Sequence, residues 1–138
     1  MPVTPIFLFE SIYEGEHNAS PAQIRRQAYW PLLCGGAGQF FGNRPIWLFD
    51  PGWDAALAAE GSRSMAQLRS LFLSRPWHEL VPDQAHKVVT GGLGEFRGLD
   101  CLAAARTSDR RILIAYIPTL RTFTVDMSQM AGGRVRVW

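Results

Sequence analysis

The order of hydrophobic patterns along the chain restricts its fold more than any other feature of the sequence. An apolar run at 6–9 is followed by helical spacing, a second short run at 39–41 and further helical spacing. From about residue 81 onward only short β-type segments follow. Strands that alternate with helices predict a parallel sheet, whereas strands in series predict an antiparallel one. We therefore expect an α/β fold followed by β, with domains at 1–80 and 81–138.

The first apolar run, Ile6–Phe9, predicts a strand buried on both faces, as strands of parallel sheets are. It ends at a carboxylate, Glu10, and a polar loop follows. Ser20 and Pro21 suit the N-cap and the first position of a helix. Because proline lacks a backbone N–H, Pro31 predicts a kink or an early end of that helix.

Two more helices are expected before residue 80. Asp54 is positioned to cap a short alanine-rich helix that Gly61 ends. A second helix is predicted over Ser64–Arg75 and stops at Pro76. Its apolar face comprises Met65, Leu68 and Phe72.

The C-terminal part predicts an antiparallel meander of four strands, similar to a β-sandwich. The four segments are 99–107, 111–117, 122–127 and 134–138. Phe123, Val125 and Met127 alternate with polar residues, which indicates a sheet with one face in water.

Composition excludes several classes of protein. Hydrophobic residues make up 47% and charged residues 19%, which argues against intrinsic disorder. The net charge is +2, from 14 Lys+Arg against 12 Asp+Glu, so nucleic acid is not an expected partner. No run approaches the ~18 apolar residues that a membrane helix needs, so no membrane partner is expected. The segment before Glu10 has no basic start and no small-residue cleavage site, so we predict no signal peptide.

No cofactor or metal site is predicted. Cys34 and Cys101 are far apart in sequence and are interpreted as two buried thiols, which neither supports nor excludes an oxidising compartment. Glu14, Glu16 and His17 are potential metal ligands, but the helical His spacing of zinc enzymes is absent. No glycine-rich segment follows a strand with phosphate-binding spacing.

Chemistry is expected where the first strand ends. Loops at the carboxyl ends of parallel strands carry catalysis in βα units, and Glu10 occupies such a position. A carboxylate there can act as a nucleophile or base toward a sugar, although a Glu after an apolar strand is most often a solvated cap or an ion-pair partner. Trp47, in the loop after the second strand, could stack on a sugar ring. The residues expected to contact substrate are Tyr13, Glu16, His17, Gln39, Asn43 and Trp47.

Several segments resemble apiosidase-like glycoside hydrolases, many of which were first labelled endoglucanases. In the first half the similar segments are 5–11, 13–16, 25–30, 38–43 with Trp47, and 74–77. The tail resembles the small β-sandwich, labelled as collagen-binding, that follows the barrel of these enzymes. The similar segments there are 104–106, 114–116 and 123–126.

This resemblance implies part of a (β/α)₈ barrel that starts at its seventh strand, since a full barrel takes about 250 residues. Glu10 then matches the nucleophile of a retaining enzyme, with Glu14 as the alternative. The acid/base residue would lie on a segment that this chain lacks, and the β module would continue past Trp138.

Three hypotheses about function remain open at this point. The first is a protein derived from, or acting as, a glycoside hydrolase of plant-type polysaccharide. The second is a non-catalytic module that binds carbohydrate or protein, and the third is a fragment without independent activity. Exposed strand edges also predict a homo-oligomer. The cellular compartment of the chain is unknown, although members of the family that it resembles are often secreted or periplasmic.

Overall fold

The computed structural model describes residues 4–138, so residues 1–3 of the segment examined for a signal peptide lie outside it. The strands are β1 (Phe7–Leu8), β2 (Gly38–Gln39), β3 (Leu80–Pro82), β4 (Val89–Gly91), β5 (Ala103–Thr107), β6 (Leu113–Tyr116) and β7 (Thr124–Val125). The helices are α1 (Pro21–Leu33), α2 (Arg44–Leu48), α3 (Trp53–Ala56) and α4 (Glu60–Leu73). Single turns of 3₁₀ helix occupy Trp77–Glu79 and Met127–Gln129.

The first half begins with a βαβ unit. β1 and β2 pair in parallel, with Phe7 opposite Gly38 and Leu8 opposite Gln39, and α1 connects them. The described residues thus form a mixed α/β fold of small sheets and no closed barrel. The predicted alternation of strand and helix at the start of the chain is confirmed.

The prediction that the first strand is buried on both faces is wrong. β1 is only two residues long, and the flanking Ile6 and Phe9 are each 72% exposed. A parallel strand is buried only when it has strands at both edges and helices on both faces. Within residues 4–138, β1 pairs with β2 alone.

α1 starts as the sequence predicts and continues past Pro31. The Ser20 hydroxyl oxygen accepts a hydrogen bond from the Gln23 N–H at 3.2 Å, which confirms the N-cap. Pro31 lies inside the helix, which continues to Leu33, so the expected early end does not occur. The Pro31 carbonyl accepts from the Gly36 N–H at 2.7 Å and so closes the end of the helix.

α4 begins earlier than predicted. Gly61 lies in its first turn instead of ending the preceding helix, and Asp54 lies inside α3, whose N-cap is Gly52. The predicted apolar face of α4 is confirmed, because Leu68 and Phe72 are buried. The early start depends on a cap from a distant loop, described below.

The C-terminal part is β-rich, but it is not a four-stranded meander. β5 lies between β3 and β6 in an antiparallel sheet, and β7 pairs with β4 in a separate one. Residues 134–138 form no strand. Alternation of apolar and polar residues determines which face of a strand is buried but does not select its neighbour.

The main hydrophobic core lies between α1, α4 and the β5–β6 hairpin. Its buried members are Ala28, Leu33, Leu68, Phe72, Ala103, Ala105 and Ile114. They come from both sides of residue 80, so α1 and α4 bury their apolar faces against the β-rich part. The division into domains at residue 80 stays a prediction.

As for membranes, none of the helices within residues 4–138 combines the length and the apolar character that spanning one would require.

Candidate active site

The loops that follow β1 and β2 are joined at one edge of the parallel pair. An isolated parallel bridge links Glu14 to Asn43. The Glu14 N–H donates to the Gly42 carbonyl at 2.9 Å, and the Arg44 N–H donates to the Glu14 carbonyl at 2.8 Å. Carboxyl ends of parallel strands lie at the same edge of a sheet, so these loops bring Glu10 and Asn43 to one side of the molecule.

A hollow of about 290 Å³ opens at this edge, and we call it the aromatic hollow. It is lined by Phe9, Tyr13, Phe40, Phe41, Gly42, Asn43, Ile46 and Trp47. The rings of Tyr13 and Trp47 meet edge to face, with centroids 6.2 Å apart. Trp47 is 55% exposed at the rim, so part of its ring surface is free to pack against a ligand.

Glu10 lies beside the aromatic hollow and does not line it. Its Oε1 accepts a hydrogen bond from the Tyr13 hydroxyl at 3.3 Å, and its side chain is exposed. Within residues 4–138 Glu10 forms no ion pair. Partial desolvation raises the pKa of Tyr13, and the negative charge and hydrogen bond of Glu10 raise it further. Tyr13 therefore remains a hydrogen-bond donor at neutral pH.

Gly42 fixes the position of the Tyr13 ring. A Cβ atom at position 42 would collide with three atoms of that ring, because the ring lies directly against the backbone of Gly42. Because glycine has no side chain, the ring packs directly on the β2 loop and stays close to both Glu10 and Trp47.

Glu14 has a different environment from Glu10. Its Oε1 accepts from the Gly61 N–H at 2.7 Å, and its Oε2 accepts from the Ser62 N–H at 3.2 Å and from Asn43 Nδ2 at 3.1 Å. Both oxygens thus bind the first turn of α4, whose own N-cap, Ala59, offers no side-chain acceptor. Glu14 caps this helix from a distant loop. Its negative charge also interacts favourably with the positive end of the helix dipole.

Asn43 connects this cap to the aromatic hollow. The residue is 5% exposed, and its Nδ2 is held by Glu14. Its Oδ1 is buried without a hydrogen-bond partner within residues 4–138. An unpaired buried carbonyl oxygen is unfavourable, and this one has too little exposed surface to contact a ligand directly.

The other expected contact residues lie outside the aromatic hollow. Arg44 lies between Glu16 and Asp50, at 3.8 Å from a carboxylate oxygen of each. His17 is exposed in a turn with φ at 46°. The Gln39 amide donates to Met65 Sδ of α4 at 3.5 Å. The structure therefore groups Glu10, Tyr13, Asn43 and Trp47. It places Glu16, His17 and Gln39 elsewhere.

Sequence reasoning missed several residues that build the site. Gly42 supports the Tyr13 ring, Gly61 and Ser62 hold Glu14, and Arg44 occupies the space between two acidic loops. One signal was available: a helix that begins after Ala59 has no local capping side chain and needs an acceptor from elsewhere.

Metal-binding groups do not cluster in the part of the chain that the structure covers. Across residues 4–138, no three or more His, Cys, Asp or Glu side chains are close enough together to hold an ion.

Comparison with known proteins gives one family. A sequence model described as "Apiosidase-like, catalytic domain" matches residues 1–79, which is more than half of the 138 residues. Neither the curated proteins nor the solved structures include a match. The matched segment contains β1, β2 and every residue of the aromatic hollow. This chain belongs to the apiosidase-like family of glycoside hydrolases.

Proposed function

We propose that the chain contributes the nucleophile side of a retaining glycosidase site, with Glu10 as the nucleophile. The observation that carries this proposal is the exposed Glu10 carboxylate, hydrogen-bonded to Tyr13 next to a hollow lined by aromatic rings. In this proposal β1 and β2 correspond to the seventh and eighth strands of a (β/α)₈ barrel, and the substrate is a plant-type polysaccharide.

The geometry supports a role for each of the grouped residues. One Glu10 oxygen is held by the Tyr13 hydroxyl, which orients the carboxylate and leaves the other oxygen free. That oxygen would attack the anomeric carbon and form a glycosyl ester, which water then hydrolyses. Trp47 would pack against the sugar ring, and Asn43 would form part of the wall of the hollow.

Glu10 is a better nucleophile than Glu14 on structural grounds. Both Glu14 oxygens accept hydrogen bonds from the start of α4 or from Asn43, so an attack by either would remove a helix cap. Glu10 has one hydrogen bond, from Tyr13, and an exposed side chain.

A retaining enzyme needs a second carboxylate about 5 Å from the first, to protonate the leaving oxygen. The described residues that line the aromatic hollow include no Asp or Glu. Asp50, the nearest candidate along the chain, pairs with Arg44. We therefore expect the 138-residue chain alone to hydrolyse ordinary glycosides poorly.

A non-catalytic role in binding carbohydrate is the second candidate function. The lack of an acidic residue in the lining and the half-exposed ring of Trp47 favour it. The open edge of β1, with Phe7 and Phe9 exposed, also supports a proposal that two copies associate.

Activated glycosides test the nucleophile directly. A dinitrophenyl leaving group needs no general acid, so Glu10 alone could form the glycosyl ester. We would treat the full chain with dinitrophenyl 2-deoxy-2-fluoro glycosides of several pentoses and hexoses and locate the adduct by peptide mass spectrometry. We expect the label on Glu10, with release of one equivalent of dinitrophenolate.

Three variants make this experiment specific. Glu10→Gln should abolish labelling, while Glu16→Gln, at an acidic residue outside the aromatic hollow, should retain it. Tyr13→Phe should slow labelling about tenfold because the Glu10 carboxylate is no longer held in one orientation. Sugar binding detected by tryptophan fluorescence, without any label across the panel, would overturn the nucleophile and support the binding module.

A further inference from the structure

A second groove lies between the end of α1 and the loops of the β-rich part. It has a volume of about 440 Å³, and Cys34 and Cys101 both line it, together with the apolar Leu93 and Phe96. The interpretation of both cysteines as buried thiols is wrong, because Cys34 is exposed and Cys101 is partly exposed. Cys34 ends α1 because Gly35, with φ at 96°, turns the chain away directly after it.

Hydrogen bonds hold the two cysteine segments together. The Cys34 N–H donates to the Trp30 carbonyl at 2.9 Å, so Cys34 lies one helical turn after Trp30, on the same side of α1. The Trp30 indole N–H in turn donates to the Cys101 carbonyl at 3.0 Å. One turn of helix therefore separates Cys34 from a residue that is bound directly to the Cys101 backbone.

Cys101 also affects Cys34 electrostatically. Partial desolvation in the groove raises the pKa of Cys34, and the neighbouring Cys101 raises it further. This effect agrees with the position of both cysteines in one groove. The raised pKa keeps the Cys34 thiol protonated at neutral pH, where a thiol attacks disulfides slowly.

We propose that Cys34 and Cys101 form an intrachain disulfide that links α1 to the segment preceding β5, with a low-molecular-weight disulfide as the oxidant. One cysteine thiolate attacks the small disulfide, forms a mixed disulfide and expels one small thiolate. The second cysteine thiolate attacks the mixed disulfide and expels the other. The protein loses two protons and two electrons, and the small disulfide is reduced to two thiols.

This link would join the βαβ unit to the β-rich part. Residue 34 belongs to the segment that matches the family, and residue 101 lies beyond it. The bond closes a long loop of chain, which restricts the unfolded state and stabilises the folded one. Both cysteines line the groove and neither is fully buried, which favours the approach of a small oxidant.

The test treats the full folded chain with oxidised glutathione at pH 7 and at about pH 9, with mass spectrometry and a free-thiol assay. We expect both thiols to be lost from the monomer, a mass lower by two hydrogen atoms, and one peptide pair that links the two cysteines. Oxidation should be faster at the higher pH. The midpoint of thermal unfolding should rise by about 10 °C and return after reduction.

Cys34→Ser and Cys101→Ser are the matched variants. Each retains one thiol, so each should gain a single glutathione adduct and show no rise in the thermal midpoint. Two glutathione adducts on the unmutated chain, or a disulfide-linked dimer in place of the internal bond, would overturn the proposal.

Discussion

Strand β1 lies in a more hydrophobic segment than strand β5, yet β5 is the more buried of the two. β1 lies in a strongly apolar run, yet Ile6 and Phe9 are each 72% exposed. β5 is composed largely of alanine, and four of its five residues are buried. The neighbouring elements account for this difference, since β5 has a strand at each edge and helices on one face, whereas within residues 4–138 β1 pairs with β2 alone.

Side-chain size explains how β5 acquires its neighbours. Ala103 and Ala105 belong to the core cluster together with Ala28 and Leu33 of α1. Small residues on both surfaces let a helix approach the sheet closely, so larger side chains such as Phe72 fill the remaining space. The aromatic residues around β1 contact each other instead, with Phe7 and Phe9 each meeting Phe40 edge to face.

Two phenylalanine substitutions test the difference in burial between these regions, and one of them should cause the largest loss of stability. Phe72→Ala removes a ring that is 4% exposed and should reduce the free energy of unfolding by about 4 kcal/mol. Phe9→Ala removes one that is 72% exposed and should reduce it by less than about 1 kcal/mol. Urea unfolding followed by circular dichroism measures both.

Protein concentration provides the control for the Phe9 variant. If a second copy covers β1, as we propose, light scattering should show association that weakens in Phe9→Glu, since a charge at the contact resists burial. A monomer at high concentration would contradict the association. An equal loss of stability in the two alanine variants at low concentration would contradict the comparison itself.

Glu14 and Glu16 form the second pair, two residues apart in the same loop. Glu14→Ala removes the cap of α4 and leaves Asn43 Nδ2 unpaired, so we expect a loss of about 3 kcal/mol. Glu16→Ala breaks a surface ion pair with Arg44 and should lose less than about 1 kcal/mol.

Gly61→Ala tests the capping role of Glu14 without changing Glu14 itself. A Cβ at this position would lie 2.6 Å from the carboxylate, which must then move away from the helix. Gly133→Ala, at an open position, is the matched control. Full stability in Gly61→Ala would show that the helix does not depend on this cap.

The smallest effect is expected from the acid sensitivity of the β-rich part. The Asp109 carboxylate accepts hydrogen bonds from the Thr107 hydroxyl at 2.6 Å and the Arg111 N–H at 3.0 Å, and these lower its pKa. A lowered folded pKa stabilises the protein above the unfolded value of about 3.9, and this contribution is lost as the pH falls through the folded pKa. Asp109→Asn should therefore be less stable than the unmutated chain at pH 7, and the difference should shrink as the pH falls below the unfolded value of about 3.9.

Unfolding by urea across this pH range would check the prediction. Asp54→Asn, at an exposed residue of α3, is the control for the removal of a surface carboxylate. A constant difference between Asp109→Asn and the unmutated chain at every pH would show that the charge of Asp109 does not contribute.

Elements determined by nearby residues could be predicted from the sequence, and those determined by distant contacts could not. The Ser20 cap and the buried face with Leu68 and Phe72 depend on spacing within one helix. The pairing of β7 with β4 depends on which strand edge is free in three dimensions. The start of α4 depends on Glu14, more than 40 residues earlier in the chain.

The same distinction holds for the candidate site. The positions of Glu10 and Asn43 after consecutive parallel strands predict that they meet at one sheet edge. The orientation of Tyr13 toward Glu10 could not be predicted, because it depends on the bare backbone of Gly42 in another loop. Gln39 turns toward Met65 because α4 packs beside β2, a contact that no local pattern indicates.

The cluster that unites Leu33, Phe72 and Ala105 has a practical consequence for anyone who trims or recombines this gene. A cut between residues 79 and 80 would follow the edge of the family match and would separate two surfaces that exclude water only together. Each half would then expose a hydrophobic surface and tend to aggregate. Chimaeras with related enzymes should therefore exchange α1, α4 and the β5–β6 hairpin as one block.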